Sequence, residues 1–286
     1  MVIVAIKCGL GNQMFQYALY KSLLDNKKEV KLDISWFKTN QDHNGLELEK
    51  VFEIGPFDIA SKRELNLLRK YKKDLFSKFK RKIFGFKKKH YTKKKMNFKY
   101  NKKIFQKDNI FLDGFWQSEY YFYNIKEDIF DIFKFRKIIG KRNIDLAETI
   151  SNSESVSVHI RRGDYLQDKN LGGVCNTSYY LESVKILQTK LKNPFFYFFS
   201  DDPDWVKKTF NLDRMKVIDW NTGINSYLDM FLMTKCKHNI IANSSFSWWG
   251  AYLNNYKNKI VIAPKVWFNY NLHKDNDIVQ KKWLKI

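Results

Sequence analysis

Between residues 155 and 262 the chain alternates short apolar runs with stretches of helical length. The runs are Ser155–Ile160, Phe195–Phe199, Lys216–Ile218, Asn239–Ala242 and Lys259–Ile262, and helical patterns lie near 178–192, 203–210, 225–237 and 245–255. Strands alternating with helices at this spacing form a parallel sheet with helices on both faces. The chain opens the same way: Val2–Ile6 is β-branched, Gly9-Leu10-Gly11-Asn12-Gln13 turns, Met14–Leu24 has amphipathic helical spacing, and Val30–Ile34 reads as the next strand. From about 46 to 150 the pattern is mostly helical, broken by a basic segment and by Asn109–Gly114. Ser151-Asn152-Ser153-Glu154-Ser155 is the best linker. The expectation is two α/β halves, 1–150 and 151–286, facing a cleft. A closing helix around Trp283 and Leu284 would pack back on the first half. Such sheets bind ligands at the carboxyl ends of their strands.

Charge qualifies this picture. The formal net is +22, which by itself suggests nucleic acid. Residues 62–107, however, hold 20 Lys/Arg against two acids, a net of +18, so the remaining chain carries only +4. Lys87–Lys89 and Lys93–Lys95 sit there among Phe76, Phe79, Phe84, Phe86, Tyr91, Phe98 and Tyr100. Three readings stay open: a solvated insertion, a patch for an anionic membrane surface, and a single-stranded nucleic-acid site. The near-neutral body argues against nucleic acid. No apolar run approaches the ~20 residues of a membrane span. Met1–Lys7 lacks the pattern of a signal peptide, and three cysteines make no disulfide framework or zinc site. The expected location is the cytoplasm, with peripheral contact at the inner face of the membrane.

Chemistry concentrates at strand ends. His159-Ile160-Arg161-Arg162-Gly163-Asp164-Tyr165 delivers two guanidinium forks, which match phosphate oxygens, and a glycine that lets backbone approach an anion. Asp164 suits holding an arginine in one rotamer. Asp202-Pro203-Asp204 formally matches a metal-binding Asp-x-Asp, but also a helix start with an aspartate cap and Pro in the first turn. Asn243-Ser244-Ser245-Phe246 ends an apolar run in hydroxyl residues that open a helix, either a phosphate site or ordinary capping. Gly9-Leu10-Gly11-Asn12-Gln13 lacks the third glycine of a dinucleotide fingerprint and the Lys of a P-loop. Two basic and hydroxyl clusters at parallel strand ends point to a nucleoside diphosphate.

Gly9–Ala18, His159–Tyr165 and Asn243–Trp249, together with Gly114-Phe115-Trp116-Gln117-Ser118-Glu119-Tyr120-Tyr121-Phe122, resemble the bacterial α-1,2-fucosyltransferases of glycosyltransferase family 11, in the family's order. The basic segment is poorly matched. The resemblance implies two Rossmann-like domains facing a cleft (GT-B type), GDP-β-L-fucose as donor, inversion, and neither metal nor other cofactor. It implies a terminal β-galactoside as acceptor, in a surface glycan such as an O-antigen or lipooligosaccharide precursor. It places Arg161 on the β-phosphate with Arg162 and Asp202 beside it, His159 and Asp229 near guanine, and Asn243, Ser244 and Ser245 at the phosphates. Gly9, Gly11, Asn12 and Gln13 would line the cleft, and Trp116 and Gln117 the acceptor side. The acceptor hydroxyl needs a base. Asp33, at the end of the second strand, is the first candidate, ahead of Asp113 and Glu119; Asp164 suits a structural partner of the arginines.

Three rivals remain at this level. One is a metal-dependent transferase using Asp202 and Asp204. Another is an α-1,3-fucosyltransferase with the same donor. The third is a non-catalytic RNA- or membrane-binding protein acting through 62–107.

Overall fold

The computed structural model describes residues 1–40, 43–69, 90–92, 98–269 and 277–286. Most of the basic segment, including both lysine triplets, lies outside the described residues. Contacts divide the chain into two compact units, Met1–Lys134 and Phe135–Ile286.

Unit 1 is built on a parallel sheet of β1 (Val2–Ala5), β2 (Val30–Asp33), β3 (His90–Thr92) and β4 (Ile110–Asp113), in the order β2-β1-β4-β3. Ile59 bridges Leu32 in parallel beyond β2. The strand order reverses between β1 and β4. The helix Leu10–Asp25 crosses from β1 to β2, and it is buried nearly all round: Met14, Phe15, Leu19 and Leu23, but also Gln13 and Gln16, are fully inaccessible. The amphipathic stripe expected from sequence is therefore a helix enclosed on all sides.

Unit 2 carries β5 (Ser155–Ile160), β6 (Phe195–Ser200), β7 (Met215–Ile218), β8 (His238–Ile240), β9 (Val261–Ala263) and β10 (Leu284–Lys285). All pairs are parallel, in the order β10-β9-β8-β5-β6-β7. Read from the β7 edge this is 3-2-1-4-5-6, the doubly wound Rossmann order, with its switch point between β5 and β8. Side chains alternate across the sheet. Phe196 and Phe198 of β6 join Val156, Val158 and Ile160 under the helix Thr177–Lys190. Tyr197 and Phe199 face the other way, onto Leu146, Ala147 and Ile150 of the helix Lys141–Ser151.

That second layer moves the boundary. The helix Lys141–Ser151 covers the second sheet, so the division falls at 134/135 and not at 150/151. The closing helix is also corrected. Leu284 and Lys285 pair with Ile262 and Ala263 as β10, and Trp283 packs on Trp248, so this end completes its own unit's sheet.

Candidate functional site

The register of unit 2 assembles the basic cluster. Ile160 lies beside Ser200, so the residues leaving β5 and β6 meet: Arg161 beside Asp201, Arg162 beside Asp202. Arg161 Nη2 forms an ion pair with Asp164 Oδ1 (2.8 Å) and Nη1 with Asp201 Oδ2 (3.1 Å). Asp201 Oδ1 accepts the Arg162 backbone N–H at 2.9 Å. A Cβ on Gly163 would come within 2.7 Å of Asp201 Oδ2, so only glycine lets this carboxylate sit here. Arg162 Nε bonds Asp202 Oδ2 at 3.0 Å, and its guanidinium lies 3.9 Å from the Trp205 ring centroid. Arg161 has five N–H donors, and its two carboxylates fix the guanidinium plane while other donors stay available to a ligand. Asp164 is thus a structural partner of Arg161. Asp201 was missed by sequence reasoning, because only strand pairing brings it to Arg161.

Asp202 has the geometry of a helix start. Oδ1 accepts the Trp205 N–H (3.2 Å) and Oδ2 accepts Arg162, so it caps the helix Pro203–Thr209 with Pro in the first turn. Asp204 is exposed beside Lys207.

Across the switch point, Ser244 caps the helix Ser245–Tyr252, its hydroxyl accepting the Phe246 N–H at 3.3 Å. The Phe246 ring lies 5.6 Å from that of His159. Tyr165, beyond Arg161, donates to the Asn243 carbonyl at 3.2 Å, and burial keeps its phenol protonated. The β5 and β8 exits are therefore tied together. Ser245, half-buried in the first turn, stands at the end where helix N–H groups and dipole favour an anion. The Asn243 side-chain nitrogen donates to Leu171 O (3.1 Å) and Trp267 O (3.2 Å), so it braces two loops.

His159 is 6% exposed, and its Nδ1 has no hydrogen-bond partner among the described residues. Burial, then the Arg161 charge, pushes its pKa down to about 3, so the ring is neutral. Asp229 opens the helix Tyr227–Lys235, at the same sheet end. Burial pushes its carboxyl up to about 8, against the lowering effect of the Asn221 amide that donates to Oδ1 at 2.8 Å.

In unit 1 the motifs also converge, but several serve structure. Gly9 precedes the helix Leu10–Asp25 as its N-cap, and Gly11 is buried in the first turn. Gln13 donates to Cys8 O (2.7 Å) and Gly45 O (2.8 Å) and accepts from Glu47 N (3.0 Å). Every polar atom of that side chain is engaged by backbone, so Gln13 lines no cleft. Asn12 Oδ1 accepts Gln117 Nε2 at 2.5 Å, joining the glycine turn to the aromatic motif. Trp116 is corrected as an acceptor platform: its ring is fully buried against Tyr91 and Tyr121. Asp33 is corrected as a base. It is 4% exposed, Oδ1 accepts the Ser35 N–H (2.9 Å) and Oδ2 pairs with Arg69 (2.9 Å), so it closes the turn after β2.

At the β1/β4 switch point Asp113 stands between Lys7 and His90. Burial raises its pKa, but hydrogen bonds from His90 and Lys7 outweigh that and bring it to about 2. Gln16, marked only as part of a motif, bridges both strand exits, accepting from Lys7 N (2.8 Å) and donating to Gly114 O (3.0 Å). Cys8 (φ 65°) and Trp116 (φ 54°) hold left-handed conformations on these exits, strain of a kind that collects where a chain is bent to a task.

Two units, each built on a parallel sheet, the second with paired arginines where β5 ends, define a two-unit α/β protein. Comparison with known proteins narrows this. The chain matches the model of glycosyl transferase family 11 over residues 1–286 and belongs to that family. It is 37% identical to an alpha-1,2-colitosyltransferase of Escherichia coli, over 100% of this chain and 98% of that one. It is 31% identical to the Escherichia coli O-antigen biosynthesis glycosyltransferase WbnK, over 97% and 98% of the two chains. The solved fucosyltransferase NodZ from Bradyrhizobium aligns with a TM-score of 0.48 at 17% identity, over 87% of this chain and 91% of that one.

Proposed function

We propose that this glycosyltransferase moves L-fucose from GDP-β-L-fucose to the 2-hydroxyl of a terminal β-galactoside, with inversion and without a metal. The Arg161 cluster carries the reading. Breaking the sugar–phosphate bond leaves an oxocarbenium-like fucosyl group and places growing negative charge on GDP, and preorganised donors must meet that charge. Arg161, fixed by Asp164 and Asp201, and the first turn of the helix Ser245–Tyr252 supply them. Both oxygens of Asp202 are engaged by the helix cap and by Arg162, which favours arginine over a cation in this role. Asp229 takes the N1 and N2 donors of guanine, with neutral His159 nearby. On the acceptor side Asp113 is ionised and partly exposed. Its low pKa makes it a weak proton acceptor, suited to orienting the acceptor hydroxyl, whose proton passes to the phosphate oxygens of the departing GDP as the new C–O bond forms.

The 37% identity to a colitosyltransferase favours a second donor, the GDP derivative of colitose, which is fucose without its 3-hydroxyl. The acceptor is placed in a lipid-linked surface-glycan precursor, consistent with the O-antigen relative. The +18 segment would then hold the enzyme at the anionic inner face of the membrane. The test is incubation with GDP-fucose or GDP-colitose and a panel of galactosides, with and without EDTA, followed by linkage analysis. An α-1,2-fucosyl product insensitive to EDTA is expected. Transfer that EDTA abolishes, an α-1,3 linkage, or use of GDP-colitose alone overturns the corresponding part.

A further inference from the structure

Asp229 is held by a network that none of the motifs marked. The helix Lys141–Ser151 brings Asn143 against Asn221, in the loop after β7, and both amides are more than nine-tenths buried, at 6% and 8% exposure. They bond reciprocally: Asn143 Nδ2 donates to Asn221 Oδ1 (3.0 Å), and Asn221 Nδ2 to Asn143 Oδ1 (3.1 Å). Asn143 Oδ1 also accepts Trp220 Nε1 at 3.1 Å, while Asn221 Nδ2 donates to Asp229 Oδ1 at 2.8 Å. The Arg142 guanidinium, 3.5 Å from the Trp220 ring centroid, packs against the same loop.

The pairing fixes the sense of the Asn221 amide. Trp220 Nε1 can only donate, so it fixes Asn143 Oδ1, and the reciprocal pair then turns the N–H end of Asn221 toward Asp229. Asp229 Oδ1 therefore has a fixed donor. Oδ2 has no hydrogen-bond partner among the described residues, and it stands at the carboxyl end of a Rossmann sheet, where a nucleotide binds. A carboxylate held in one plane discriminates between purine edges. Guanine presents two adjacent donors, N1–H and the 2-amino group. Hypoxanthine keeps only N1–H, and adenine presents an acceptor at N1.

We propose that the Asn143–Asn221 amide pair is the positioning device that aims Asp229 at the nucleobase and sets the preference of the donor site for guanine. The inference rests on the reading of the donor as a guanosine diphosphate sugar.

The test is calorimetric binding of GDP and of IDP, which lacks the 2-amino group, to the full chain and to Asn143→Leu. Circular dichroism confirms the fold, and Asn221→Ala serves the same measurement if the leucine variant does not fold. The wild type should prefer GDP by about tenfold or more, the worth of one well-placed hydrogen bond to a charged group. The folded variant should lose most of that ratio, because a carboxylate free to swing no longer meets the 2-amino group. A folded variant that keeps the wild-type ratio, or loses GDP and IDP affinity by the same factor, shows a merely structural role and overturns the inference alone. A wild type that binds both nucleotides equally also overturns it. A wild type that binds neither brings down the donor reading together with it.

Discussion

Arg161 sits between two carboxylates, so positive surplus does not explain an anion site here. Arg161 and Arg162 face Asp164, Asp201 and Asp202, and the local balance is slightly negative. What the cluster offers is direction: a guanidinium locked in plane, whose remaining N–H groups cost little reorganisation when a phosphate arrives. Arg161→Ala removes those donors and leaves Asp164 and Asp201 facing the ligand uncompensated. Transfer should fall by at least ~10²–10³ with an unchanged circular dichroism spectrum, and a variant retaining a tenth of wild-type turnover would refute the assignment. Asp229 makes a different forecast. With its folded pKa raised to about 8 from 3.8, the native chain holds a proton that the unfolded chain has lost between those values. Its contribution to stability therefore declines as pH rises through that window. Guanine N–H donors prefer the carboxylate, so GDP binding at pH 7 should release a proton. Titrations in two buffers of different ionisation enthalpy should give different apparent heats, and equal heats would contradict the role.

Elements differ in how far their letters disclose them. β5 follows the expected Ser155–Ile160, and the helix start at Asp202-Pro203 carries its own cap and proline. Polar residues inside the helix Leu10–Asp25 misled. Gln13 read as a ligand group and Gln16 only as part of a motif, yet the fold uses Gln13 wholly, and Gln16 at two points, to satisfy backbone where strands end. Gln16→Leu would strand a Lys7 N–H and a Gly114 carbonyl. At ~1–3 kcal/mol for each such group, unfolding free energy should drop by about 2–6 kcal/mol. Urea denaturation measures this, and an unchanged midpoint would show that water replaces the glutamine at no cost. β3 lies next to the lysine-rich stretch and is only His90–Thr92, too short for a pattern to mark. Trp283-Leu284 is likewise too brief to distinguish strand from helix without its partner β9. Asp201 and Asn143 owe their roles to register and to helix packing across the chain, which no local window contains.

At the scale of the molecule, two sheets share one principle. Each gathers its polar groups where strand order reverses: Lys7, Gln16 and Asp113 between β1 and β4; His159, Arg161 and Ser244 between β5 and β8. The net charge of +22 obscures this, because it resides mostly in 62–107 and not at the switch points. The family match runs through both units. On the proposed reading, Arg161 and the first turn of the helix Ser245–Tyr252 hold a guanosine diphosphate without a cation. Isothermal titration of the full chain with GDP in EDTA-containing buffer tests it most directly. Saturable binding that Arg161→Ala abolishes is the predicted result; no binding until a divalent metal is restored, or no binding at all, would contradict it.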